Sequence, residues 1–439
     1  MQTTGVKQAI DDGAMSAQQW LIVIITVLLN AVDGFDVLSS AFAGPGIKQE
    51  WQLAPDGLGA VLSMELIGMG IGSLVLGGAA DKIGRRPTML ICLVLMASGM
   101  FLATTAQSPQ GLSVWRVLTG LGIGGMLAST NAVVNEVSNR ASRSIAVALM
   151  VIGYPLGAFF GGLVAADLLA TYSWRAIFMF GGIMTALMFP VALIFVPETP
   201  AWLAQARPAG ALERINKTMA RFKLASLAAL PPLAPQETNA RLADIFAPAY
   251  RRVTLVLALG YAAHMLTFYY ILKMAPSIIA DPQFAGQSFT KGQGASVLAY
   301  ANLGGAIGGA CFGWCMHRFG IKRATIVALA LSVLAVIHFG LGQSTLQGWT
   351  IAVIITGIAT NAAVVGFYAS FAASYPTHVT ATGTGFALGV GRGGAALSPF
   401  LAGLLFAGQS GLMTTSIVMA IGSLLALMLF FWLPVHKAQ

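Results

Sequence analysis

Apolar residues run along this chain in twelve stretches of about 20, the length a helix needs to cross a hydrocarbon core of ~30 Å. They cover residues 20–43, 58–79, 88–106, 112–135, 144–166, 176–196, 253–276, 295–315, 324–342, 349–372, 382–406 and 411–434. The pattern predicts an all-α polytopic membrane protein with twelve transmembrane helices. Within the spans glycine recurs at small-xxx-small spacing, as in GMGIGSLVLGG and NLGGAIGGACFG. Side chains of that size let neighbouring backbones approach, so a closely packed bundle is expected.

One long polar interruption, residues 197–252, breaks the series into six spans and six. Its prolines and mixed charges predict a linker carrying one or two short helices between an N-terminal half, 1–196, and a C-terminal half, 253–439. The halves share a sequence signature. GGAADKIGRRP at 77–87 follows the second span and GWCMHRFGIKR at 313–323 follows the eighth. Each has Gly, three residues, a polar residue, a basic residue, one more, then Gly and further basic residues. A repeat at matching positions predicts two pseudo-symmetric six-helix units.

Composition agrees with a chain dissolved largely in lipid: 57% of residues are hydrophobic, 9% are charged, and mean hydropathy is +0.79. Soluble domains carry roughly 25% charged residues. The net charge is +9, and its distribution explains it. Of the 24 Lys and Arg, only Lys48, Arg175 and Lys291 fall in the loops of one side, and Arg116, Lys273 and Arg392 fall inside spans. The rest lie on the side of the linker and both termini. Basic residues are retained in cytoplasmic loops, so both termini are expected to be cytoplasmic and no nucleic-acid partner is implied. Residues 1–19 are polar, contain two Asp and lead straight into a full-length span, unlike a cleaved signal peptide. Cys92, Cys311 and Cys315 sit in apolar spans and read as packing residues, with no metal set around them. Phosphate-binding glycine loops, nucleophile elbows and metal clusters are missing from the sequence, which argues against an enzyme.

The exceptions to apolarity carry the candidate chemistry. LLNAVDGFDVLSS, residues 28–40, places Asp33 and Asp36 within the first span. Each ionised residue at a helix centre costs about 2.5–3.5 kcal/mol, so acids there call for compensation or a purpose. Asp33 lies roughly 20 Å along the helix, near half depth, and Asp36 projects from nearly the same side. Arg392 in the eleventh span also falls near half depth, between Gly391 and Gly393. All three are expected to face one central chamber. Buried paired carboxyls suit proton exchange, and a guanidinium that stays charged suits an anion. Glu65 in the second span is ambiguous. Glu136, at the inner end of the fourth, is expected to meet basic loop residues. Lys273, near the outer end of the seventh, is expected to snorkel, with an anion contact as the minority reading.

The GAADKIGRR loop, together with RVLTGLGIG at Arg116, Gly120 and Gly124, resembles the signature motifs of the major facilitator superfamily across the whole chain. DGFD in the first span, FYYILKMAP in the seventh and YPTHVTATGTGFALGVGRGGAALSP leading through the eleventh resemble the aromatic acid:proton symporter family, as in benzoate and 4-hydroxybenzoate transporters. That resemblance implies proton-coupled uptake of an aromatic carboxylic acid by alternating access across a bacterial inner membrane. The chain is expected to act as a monomer in the bilayer, with protons as coupling ion and no cofactor. On this reading Asp33, Asp36 and Arg116 handle the proton. Arg392 anchors the substrate carboxylate, with Asp33 and Asp36 lining the site and His264 either bonding a ring hydroxyl or serving as a satisfied bundle histidine. Gly77, Asp81, Gly84, Arg85 and Arg86 form a latch, in which Asp81 pairs with Arg85, Arg86 or a helix end. The alternatives are a carrier of another organic anion such as nicotinate or muconate, an exporter, and a non-transporting membrane sensor of aromatic acids.

Overall fold

A computed structural model describes residues 4–231, 242–285, 287 and 289–433. A short helix α1 (Thr4–Asp12) precedes six long helices: α2 (Ala17–Glu50), α3 (Pro55–Ile83), α4 (Arg85–Thr104), α5 (Pro109–Val137), α6 (Arg143–Thr171) and α7 (Arg175–Phe195). The linker contributes α8 (Pro200–Ala206) and α9 (Ala211–Arg221). The second set is α10 (Arg251–Ile279), a single turn α11 (Pro282–Ala285), then α12 (Lys291–Phe319), α13 (Ile321–Gly340), α14 (Leu346–Ser374), α15 (Thr377–Ala407) and α16 (Leu412–Phe431). Twelve of these helices are long and apolar enough to span a membrane, and no strand occurs among the described residues. Most overrun their apolar stretch by several residues because the caps are polar. Ser16 accepts from the Gln19 amide in a capping box at the start of α2, and Thr290 does the same with Gln293 for α12.

The two six-helix sets repeat one packing scheme. In the first, α2 packs on α6, α3 on α5, and α4 on α5 and α7; in the second, α10 packs on α15, α12 on α14, and α13 on α14 and α16. The halves meet through α3 against α15 and α6 against α12. The repeated loops match in backbone as well. Gly84 and Gly320 each join two helices with φ of 108° and 82°, where an L side chain is strained.

Glycine sets the helix spacing. A Cβ on Gly157 would overlap the carbonyl oxygen of Ala31, and one on Gly34 that of Tyr154, so α2 and α6 touch backbone to backbone. Gly157→Val is expected to force them apart and cost about 1–3 kcal/mol. Gly385→Ala, where an added Cβ meets nothing within 4 Å, is the neutral control. Thermal unfolding in detergent measures both.

On the side from which the linker leaves α7 and enters α10, helices α1, α8 and α9 bury Val6, Ile10, Trp202, Leu203, Ile215 and Met219 against one another. Arg143 pairs with Asp11 there. Arg241 and Lys437, two basic residues expected on this side, lie outside the described residues. The closest approaches between the halves lie toward the opposite, far ends of the helices. Gly59 abuts the carbonyl of Pro399, Gly292 that of Ala166, and Lys48 pairs with Asp281 at 2.6 Å. On the linker side of Arg392, Gly385 and Gly389 face open space. The bundle is therefore sealed at its far face.

Candidate functional site

Three acids and two bases converge inside the far half of the bundle. Arg116 reaches from α5 to Glu65 of α3 at 2.6 Å, with both side chains fully buried. Its guanidinium also donates to the main-chain oxygen of Asp36 and the sulfur of Met100, both at 2.9 Å, and lies over the Phe178 ring. Asp36 accepts from the hydroxyl of Thr185 on α7 at 3.0 Å. Lys273 crosses from α10, in the other half, to Glu65 at 3.2 Å. It also donates to the hydroxyl of Ser40 and the main-chain oxygen of Val37, and Ser40 donates to Glu65 at 2.7 Å. Asp33 is 2% exposed, and neither carboxyl oxygen has a hydrogen-bond partner among the described residues. An isolated carboxylate in such surroundings is costly, so this cluster has one acid more than its bases can compensate.

Arg392 lies apart from these acids. It is half-buried on α15 and has no ion pair among the described residues. The titratable groups around it are neutral tyrosines: Tyr261 and Tyr269 of α10, Tyr368 of α14 and Tyr154 of α6. The hydroxyls of Tyr261 and Tyr368 lie 3.4 Å apart. Gly391 makes this possible, because a Cβ there would overlap the Tyr261 ring. Tyr154 also feels Asp33 and Glu65, and Tyr269 also feels Glu65. The two tyrosines thus lie near both the guanidinium and the acid cluster. A cation with phenol rings and hydroxyls around it is chemically suited to a planar anion.

Several placements differ from the sequence expectation. Asp36 does not face Arg392, because it turns into its own half toward Thr185 and Arg116, and Asp33 makes no hydrogen bond to Arg392 among the described residues. Lys273 does not snorkel; it is fully buried and ion-paired, since α10 packs against α2 at this level. His264 is also fully buried. Its ring nitrogens meet the Ser423 hydroxyl at 2.9 Å and the Thr360 carbonyl at 3.0 Å, which leaves neither for a ring hydroxyl. Glu65, ambiguous in sequence, is the hub. One signal could have found it: α3 and α5 both start at the far side, and Glu65 and Arg116 lie ten and seven residues into them. That puts them within about 5 Å of the same depth.

On the linker side, Asp81 pairs with Arg85 at 2.7 Å and Arg85 with Glu136 at 3.0 Å, while Thr199 donates to Glu136. Glu198 accepts from the amides of Arg85 and Arg86 at the start of α4. Gly84 leaves room for that carboxylate, Gly77 faces Ala128 of α5, and Arg86 donates to the Leu193 carbonyl. These bonds all close within the first half and its linker. Burial pushes the Glu198 carboxyl up from its ordinary value, and the amides of Thr199, Arg85 and Arg86 draw it partly back. With the folded value raised, Glu198 favours folding most at low pH, and the contribution fades as pH rises through that value. Glu198→Gln is expected to flatten that dependence, and Glu198→Ala to cost about 1–2 kcal/mol by uncapping α4. Melting across pH reads both.

A fold of two six-helix units around buried charge defines a polytopic membrane carrier. The Major Facilitator Superfamily profile matches residues 26–349. The chain is 28% identical to the gallate transporter of Pseudomonas putida, covering 93% of this chain and 90% of that one. It is 30% identical to the 4-hydroxybenzoate transporter PcaK of the same organism, covering 89% and 87%. The solved xylose transporter XylE of E. coli superposes with a TM-score of 0.72 at 15% identity, over 97% of this chain and 100% of that one. The chain belongs to the major facilitator superfamily and, within it, to the aromatic-acid transporters. Members of this family are membrane transporters and not enzymes.

Proposed function

We propose that this protein imports an aromatic carboxylic acid together with protons across a bacterial inner membrane. The observation that carries the reading is Arg392 in its ring of four tyrosines, beside a buried cluster with one uncompensated acid. A substrate carboxylate would take the guanidinium in a bidentate bond, its ring would lie among the phenols, and ring hydroxyls would exchange hydrogen bonds with them. Hydroxylated benzoates are therefore favoured over benzoate, in keeping with the gallate and 4-hydroxybenzoate carriers among its relatives.

A proton on Asp33 or Asp36 would neutralise the cluster of three acids and two bases, and a neutral core reorients more cheaply through lipid-like surroundings. The two halves would rock about the site, opening it to each side in turn. The excess of basic residues on the linker side supports a cytoplasmic location for that side and for both termini. One chain holds the whole site, so a monomer suffices, and protons are the coupling ion.

Purified protein in liposomes with an imposed pH gradient tests the reading across benzoate, 4-hydroxybenzoate, gallate, gentisate and nicotinate. Accumulation of the hydroxybenzoates that collapses with the gradient is expected. Equal accumulation with and without a gradient would overturn proton coupling, and accumulation of nicotinate alone would overturn the substrate class.

A further inference from the structure

We propose that Lys273 is a coupling residue, the charge by which the C-terminal half senses the acid cluster of the N-terminal half. It holds the far side of the chamber closed through its bonds to Glu65, Ser40 and Val37. This inference rests on the transport reading above. Among the bases of the cluster only Lys273 comes from the second half; Arg116 and all three acids belong to the first. Its ammonium has three protein acceptors, Glu65, Ser40 and Val37, and every one lies on the opposite side of the interface. Lys273 lies six residues from the far end of α10, about 9 Å along the axis, beyond Arg392 as seen from the linker side. Opening the far side therefore has to pull it away from all three acceptors.

Glu65 survives that separation because Arg116 and Ser40, both of its own half, stay bonded to it. Lys273 has no such reserve and must find water. Closure runs the other way. Burying an unpaired ammonium is costly, so the far side closes only when Lys273 regains its bond to Glu65. The other charged or titratable groups near Glu65 are Asp36 on α2, Arg116 on α5, Tyr154 on α6 and Tyr269 on α10. Arg392 on α15 packs beside Gly70 of α3. None of these can replace Lys273 across the seam, since the tyrosines are neutral and Arg392 is held among them.

Ser277 supplies the reporter. It is 7% exposed on α10, and its hydroxyl lies 2.8 Å from where a Cβ on Gly44 of α2 would stand, so it is hidden while the far seam is closed. In protein with Cys92, Cys311 and Cys315 replaced and Ser277→Cys added, labelling by a membrane-impermeant maleimide from the far side reads gate opening without any substrate. Lys273→Met is expected to raise the labelling rate about tenfold, and Glu65→Gln to do the same, with no further gain in the double variant. Lys273→Arg should restore the slow rate. In liposomes Lys273→Met should lose gradient-driven accumulation while keeping substrate counterflow, which a merely misfolded protein would lose as well. Unchanged labelling in Lys273→Met, or additive effects in the double variant, would overturn the proposal. Failure of uptake by the unsubstituted protein would instead count against the substrate or the coupling ion.

Discussion

Arg392→Ala is expected to abolish saturable binding of an aromatic carboxylate, lowering affinity about thirtyfold or more, while the protein still folds. The loss is large because a bidentate guanidinium–carboxylate bond in a desolvated site contributes about 2–5 kcal/mol on truncation, and 1.4 kcal/mol is a factor of ten. Folding should survive because Arg392 has no ion pair to orphan among the described residues, and its neighbours are tyrosines that can rebond through Tyr261 and Tyr368. Arg392→Lys keeps the charge but loses the planar fork, so it should recover only part of the affinity. Calorimetric titration of detergent-purified protein with 4-hydroxybenzoate decides it. Equal affinity in Arg392→Ala and the unsubstituted protein would place the anion elsewhere.

Asp33→Asn and Asp36→Asn are expected to uncouple the carrier, keeping counterflow but losing accumulation against a pH gradient. Their stabilities should differ. Asp33 has no hydrogen-bond partner among the described residues, so removing its charge relieves a desolvation cost, and Asp33→Asn should melt higher by an amount equivalent to about 1–2 kcal/mol. Asp36 accepts from Thr185 and lies beside Arg116, so Asp36→Asn removes a compensated charge and should melt lower. Liposome counterflow and accumulation, set beside melting curves, separate the two roles. Normal accumulation in both variants would remove these acids from the proton path.

The twelve spans, the split into six and six, and the repeated loop with Gly84 and Gly320 were legible in the sequence because hydropathy and backbone strain act locally. Asp33, Asp36, Arg116 and Arg392 stood out for the same reason: a charge amid twenty apolar residues is visible without knowing its neighbours. Asp81 with Arg85 was accessible too, since residues four apart meet across the turn that Gly84 makes.

Only the tertiary structure decided who meets whom. Arg392 pairs with tyrosines from three other helices, Lys273 reaches an acid 208 positions away, and His264 is satisfied by Ser423 and Thr360. Helical periodicity gives a side chain's depth and approximate direction, yet the rotation of each helix is set by where glycines such as Gly34, Gly157 and Gly391 let its neighbours close in. The chain by itself determined that charge is buried and at what depth; packing across the bundle determined which charges are compensated and which one is left without a partner among the described residues.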